Sequence, residues 1–118
     1  MSPFPPEDLQ PISRSDLATE HLDDWRFVDG QLCGRFATPS YAAGLALVAQ
    51  LGEEAERSQH HPDVDLRYGH VDVRMNSHDV RAITQRDVRL ARAISVIAAG
   101  VGAIAEPAEI GETSETAG

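Results

Sequence analysis

The sequence predicts an α+β domain: a four-stranded antiparallel sheet with three helices packed on one face, in the order helix, hairpin, helix, hairpin, helix. Three observations lead there. Asp29-Gly30 sits between two short runs of strand-forming residues, a strong signal for a tight hairpin. Apolar side chains switch parity between Leu66 and Tyr68 on one side and Val71, Val73 and Met75 on the other, which within a strand pattern demands a turn. Two longer stretches, one opening near Pro39 and one near Thr84, carry apolar residues at three- and four-residue steps.

Taken in order, Ser13 or Ser15 can N-cap a short helix reaching about Leu22. Trp25 to Val28 and Gln31 to Phe36 then form the first hairpin. Thr38 caps the second helix, with Pro39 at its first position, where a missing N–H costs nothing. Tyr41, Leu45, Val48, Ala49, Gly52 and Ala55 make its apolar stripe. It ends near Ser58, because His61 precedes a proline and is pushed out of helical geometry. In the second hairpin a Gly69-His70 turn pairs Tyr68 with Val71 and Leu66 with Val73, so Tyr68 reads as a core-facing sheet residue. Thr84 and Asp87 form a capping-box pair for the last helix, whose apolar positions are Val88, Ala91, Ile94, Ile97 and Ala98, with Gly100 as its stop. Residues 1–11 hold four of the seven prolines and are expected to be flexible; 12–105 form a single domain; the acidic, aperiodic stretch 106–118 is expected to be disordered.

At 118 residues the chain suits one domain, and so small a core makes self-association a natural supplement. The formal net charge of −9 disfavours nucleic-acid backbones and anionic membranes as partners. Cys33 is the single cysteine, so no internal disulfide forms, as suits a reducing compartment. No signal-peptide pattern opens the sequence and no apolar run is long enough to span a bilayer, so a cytoplasmic location is expected.

The chemistry concentrates in Glu56-Arg57-Ser58-Gln59-His60-His61-Pro62-Asp63, followed by His78-Asp79 after the second hairpin. Imidazole, with an unperturbed pKa of ~6.5, gives or takes a proton near neutrality. Histidines gathered in one cleft therefore suit a reaction that protonates a leaving hydroxyl and removes a proton elsewhere. Other readings of the same residues are an exposed loop pair, or a zinc site drawing on His60, His61, His78 and Asp79. Neighbouring histidines rarely converge on one ion, and no metal is expected. Trp25 reads equally as a core residue, and Asp87 as a helix cap.

Glu56, His60-His61-Pro62, Tyr68, His78 and Asp87, separated by gaps of three, five, nine and eight residues, resemble the signature of the pterin-4a-carbinolamine dehydratases. The likeness runs from about Trp25 to Ala98. It implies an enzyme that removes water from 4a-hydroxytetrahydropterin to give quinonoid dihydropterin, with no cofactor, the pterin being the substrate. His60 and His78 would be the acid/base pair, and His61 would hold the pterin ring. Glu56 would orient the histidines; Trp25, Asn76, Ser77 and Asp87 would complete the pterin site. A homodimer or homotetramer is implied as well. Gln59 stands where many relatives carry an acidic residue, and Val80-Arg81-Ala82-Ile83 replaces a glycine-containing turn. The alternative, also known among similar proteins, is a catalytically silent assembly, chaperone or regulatory partner.

Overall fold

In a computed structural model, which describes residues 3–110, β1 (Trp25–Val28) and β2 (Gln31–Ala37) pair antiparallel around Asp29 and Gly30. Both turn residues have positive φ, 51° and 78°, as a tight primed turn requires. Strand β4 (His70–Met75) lies on the other side of β2, and β3 (Asp63–Leu66) pairs outside β4, for an order β1-β2-β4-β3. A two-residue strand, β5 (Ile104–Ala105), extends the β1 side by pairing with Phe36 and Ala37, so the sheet has five strands rather than four. Every pairing is antiparallel. One face carries charged pairs such as Arg35 with Asp72 and Arg74 with Asp65. The other, with Trp25, Leu32, Phe36, Val71, Val73 and Met75, is buried. One wet face and one packed face is the ordinary antiparallel solution.

The buried face is covered by α2 (Tyr41–Ser58) and α3 (Gln85–Gly100), while α1 (Arg14–Ala18) contributes Leu17. Helix α1 is shorter than the pattern suggests: Thr19 ends it, and His21 turns the chain at φ 55°. The expected cap of α2 is corrected as well. Ser40, not Thr38, receives the N–H of Ala43 at 3.1 Å, because the helix starts at Tyr41. Its buried stripe is Gly44, Leu47, Leu51 and Ala55, whereas Tyr41 and Leu45 of the expected stripe are half exposed. Two apolar rows run along α2 at the same spacing; the sheet takes the one with Leu47 and Leu51, and periodicity alone does not choose between them. Gly44 lets the helix approach β3, since a Cβ there would stand 2.9 Å from Leu66 Cδ1.

The second hairpin turns at Tyr68-Gly69, not Gly69-His70. Leu66 opposes Val71, Val64 opposes Val73, and the N–H of Arg67 donates to the carbonyl of His70 at 2.8 Å. The expected register is therefore wrong by two residues along β4. A two-residue slip leaves the same side chains inward, so parity cannot detect it. Its cost falls on Tyr68, which is 87% exposed at the hairpin tip rather than facing the core.

Gly34 tests the packing of the inner face directly. A Cβ there would meet Trp25 Cε3 and Cζ3 at 2.9 Å and Phe36 Cε2 at 3.0 Å, and these two rings already pack edge to face at 5.6 Å. Gly34→Ala is expected to destabilise the fold by about 1–3 kcal/mol, as overpacking does, and a denaturant titration would read it.

Within the segment expected to be flexible, Pro6–Leu9 forms a 3-10 turn. Asp8 is buried there against α3, accepting from Arg89 at 3.0 and 2.7 Å. The Arg89 hydrogen bonds hold the Asp8 carboxyl below its usual range, against the opposing effect of burial. A depressed carboxyl contributes stability above its unfolded pKa of ~3.9 and loses it as pH falls through the folded value. Melting temperature should thus drop on acidification below about pH 4, and Asp8→Asn should lower it at pH 7 while flattening that acid limb. Of the stretch 106–118 expected to be disordered, 106–110 are held to the sheet instead, the Glu106 N–H donating to the Arg35 carbonyl at 2.8 Å and Arg26 to the Pro107 carbonyl, while 111–118 lie outside the described residues. Among the described residues, no helix is long and apolar enough to cross a membrane.

Candidate active site

Helix α2 ends by a left-handed residue that is not glycine. Gln59 has φ 53°, its N–H donates to Glu56, and the N–H of His60 reaches back to Ala55 at 3.1 Å. This is the double closure of a Schellman ending. It bends the chain sharply after Ser58 and turns His60 inward, to 8% exposure, while His61 remains exposed. Gln59 thus has a backbone task whatever its side chain does.

The buried imidazole meets the N-terminus of α3. His60 Nε2 lies 2.6 Å from Asp87 Oδ1, and the Asp87 side chain has no exposed surface. The other oxygen, Oδ2, accepts from Ser77 Oγ at 2.8 Å and from the Thr84 N–H at 2.9 Å, the second being half of the capping box that opens α3. A carboxylate only accepts, so Nε2 carries the hydrogen and the neutral ring keeps Nδ1 as its lone-pair nitrogen. The orientation of His60 and its tautomer are both set by Asp87, an arrangement that suits a histidine moving protons.

Ser77 closes a turn to Ala82. Its N–H donates to the Ala82 carbonyl at 2.8 Å and its carbonyl accepts from Ala82 and Val80. His78 is the first residue of this turn and is exposed. Arg81 supplies the positive φ, 54°, that a glycine would ordinarily provide, so the departure noted at Val80–Ile83 leaves a closed turn in place. Asp79, next to His78, is held in a two-pronged pair with the buried guanidinium of Arg86, at 2.8 and 3.1 Å.

The remaining predicted residues are placed as follows. His61 Nε2 lies 2.5 Å from Glu56 Oε2, both exposed. Asn76 is half-buried, and its Oδ1 is shielded from water with no hydrogen-bond partner among the described residues. Trp25 is buried in the core; its indole N–H donates to Ser95 Oγ at 3.0 Å and its ring meets Phe36. It lines two cavities, of about 350 and 270 Å³, together with His21, Leu22 and Asp23. Asp87 and the Ser77 hydroxyl are the clear departures from the expectation of pterin contact. Both are sealed in and already bonded, so each can act on a substrate only through His60 or through the backbone.

The structure thus links His60, Asp87, Ser77 and Thr84 directly, sets His78 one residue from Ser77, and leaves the exposed His61–Glu56 pair one residue from His60. Sequence reasoning missed Arg86, and gave the Thr84 hydroxyl a capping role without its link to Ser77. A buried arginine pairing seven residues back across a turn leaves no periodic trace. No three His, Cys, Asp or Glu side chains converge as a metal site would need among the described residues.

Comparison with known proteins gives the family. The sequence profile described as Pterin 4 alpha carbinolamine dehydratase matches residues 9–97. A Mycobacterium leprae protein provisionally named pterin-4-alpha-carbinolamine dehydratase is 39% identical over 79 residues, 67% of this chain and 84% of the relative. A Herpetosiphon aurantiacus protein with the same provisional name is 34% identical over 80 residues, 68% of this chain and 83% of the relative. Among solved structures, a transcriptional coactivator/pterin dehydratase from Brucella melitensis superposes with a TM-score of 0.72 at 27% identity, over 75% of this chain and 99% of its own. A pterin dehydratase-like protein described as a RuBisCO assembly factor of the alpha-carboxysome shares the fold alone, with a TM-score of 0.54 at 23% identity over 63% of this chain and 88% of its own. With its profile match spanning most of the chain, and with its antiparallel sheet under two helices, the protein belongs to the pterin-4a-carbinolamine dehydratase family.

Proposed function

We propose that the chain is a working dehydratase that removes water from 4a-hydroxytetrahydropterin, with His60 and His78 as its acid/base pair. In this reaction the C4a–O bond breaks as one imidazole delivers a proton to the departing oxygen. The other takes the N5 proton as the C4a=N5 bond forms, so the net loss is one water. Each positioned acid or base of this kind contributes about 10²–10⁴ in rate.

The observation that carries the reading is the buried His60–Asp87 pair, a proton-transfer group with its tautomer fixed by a sealed carboxylate. Asn76 would join the pterin site only by turning its amide, since its Oδ1 has no exposed surface as it stands. His61, kept by Glu56 at the surface end of the array, would hold the ring. A homodimer or homotetramer in the cytoplasm completes the proposal, supported by the half-exposed Tyr41 and Leu45 on α2.

The intact histidine array favours catalysis over the assembly-factor role described for the more distant fold relative. The discriminating experiment adds freshly generated 4a-hydroxytetrahydropterin and follows its loss by absorbance. Catalysis well above the spontaneous rate, lost in His78→Ala, is the expected result. A rate equal to background, unchanged by that substitution, would leave only the partner role.

A further inference from the structure

Arg86 is a charged side chain that the proposed reaction does not use, yet it is 5% exposed, and a buried guanidinium requires partners. Its partners run in two directions. The forked end donates to both oxygens of Asp79, at 3.1 and 2.8 Å, and Asp79 is the neighbour of His78 in the Ser77–Ala82 turn. The inner nitrogen, Nε, donates to Thr84 Oγ1 at 3.2 Å, as does the Arg86 backbone N–H. The Phe4 ring covers the guanidinium at 4.6 Å from Cζ.

The second direction continues to His60. Ser77 has one hydroxyl hydrogen, and it goes to Asp87 Oδ2. The 2.8 Å contact between Ser77 Oγ and Thr84 Oγ1 therefore has Thr84 as donor. The donors line up in one sense: Arg86 to Thr84, Thr84 to Ser77, Ser77 to Asp87, with Asp87 also receiving His60 Nε2–H. Chains of this kind polarise cooperatively and hold their members to one geometry.

We propose that Arg86 is a positioning residue that holds His60 and His78 in register with each other, one through the Thr84–Ser77–Asp87 chain and the other through Asp79. This rests on the dehydratase reading for its catalytic consequence but not for its geometric one. Lysine cannot replace arginine here, because a point charge lacks both the fork and the Nε–H.

The test measures kcat and KM for the full chain as wild type, R86K, D79N and the double variant, alongside ¹⁵N-histidine spectra of each. Misplacing a catalytic group by about 1 Å can cost on the order of 10²-fold, so R86K is expected to lose roughly that in kcat. D79N, which touches only the His78 branch, is expected to lose about tenfold, and the double variant no more than R86K, the non-additivity of one linked network. KM should change little. The ring signals of both His60 and His78 should move in R86K, those of His78 alone in D79N, and Asp79→Glu should restore part of the rate. A folded D79N with wild-type kcat and an unmoved His78 signal overturns the proposal, also where R86K fails to fold. If the wild type shows no dehydration, the functional reading fails, and the histidine spectra alone decide the positioning.

Discussion

Replacing His60 by glutamine is expected to slow 4a-hydroxytetrahydropterin dehydration by about 10²–10⁴-fold, with the protein still folded. Glutamine keeps an N–H that can donate to Asp87 Oδ1, where His60 Nε2 now lies 2.6 Å away, but it offers no nitrogen that exchanges protons near neutrality. His60→Ala would be as inactive and less informative. It strips a buried carboxylate oxygen of its partner, which costs about 1–3 kcal/mol and confuses lost chemistry with lost stability. Comparing the two variants by kcat and by denaturant midpoint separates these effects. If glutamine retained most of the wild-type rate, His60 would be a structural histidine, and catalysis would have to rest on His61 or His78.

Asp87 is predicted to have the largest effect on the fold. Its carboxylate satisfies His60, the Ser77 hydroxyl and the Thr84 N–H in a fully buried setting. Asp87→Ala abandons all three donors and half of the capping box, and a loss of about 3 kcal/mol or more is expected. Asp87→Asn separates stability from chemistry. Its single carbonyl oxygen can still take Ser77 and Thr84, but its NH₂ then faces His60 and requires the ring to present a lone pair at Nε2. The opposite tautomer results, and by analogy with carboxylate-to-amide changes beside other catalytic histidines, kcat should fall by ~10²–10⁴-fold at modest cost in stability. A stable, fully active Asp87→Asn would mean that the tautomer of His60 is irrelevant.

Much of this was legible in the chain, where local chemistry decides the outcome. Asp29-Gly30 forms the turn that only residues tolerant of positive φ allow, and Thr84 with Asp87 forms the capping box its spacing announces. The histidines, too, stand out by residue type and spacing. What could not be read depends on contacts between elements. Parity could not distinguish a turn at Tyr68-Gly69 from one at Gly69-His70, because both registers bury the same faces. Two equally spaced apolar rows on α2 gave no hint that Leu47 and Leu51, not Tyr41 and Leu45, meet the sheet. Gln59 and Arg81 occupy left-handed positions without the glycine that would have marked them. Asp87 could be recognised as a cap, but not as the partner of His60, since that pairing spans 27 residues and exists only once α3 docks against the end of α2.

Both expectations require that pterin bind at the histidine array. The most direct measurement is a ¹⁵N-histidine and indole NMR titration of the wild-type protein with a stable dihydropterin that cannot dehydrate. Saturable shifts are expected at His60, His61 and His78, with His21 and the Trp25 indole unmoved. Shifts confined to His21 and Trp25, which line the cavities of about 350 and 270 Å³, with all three array histidines silent, would rule out binding there.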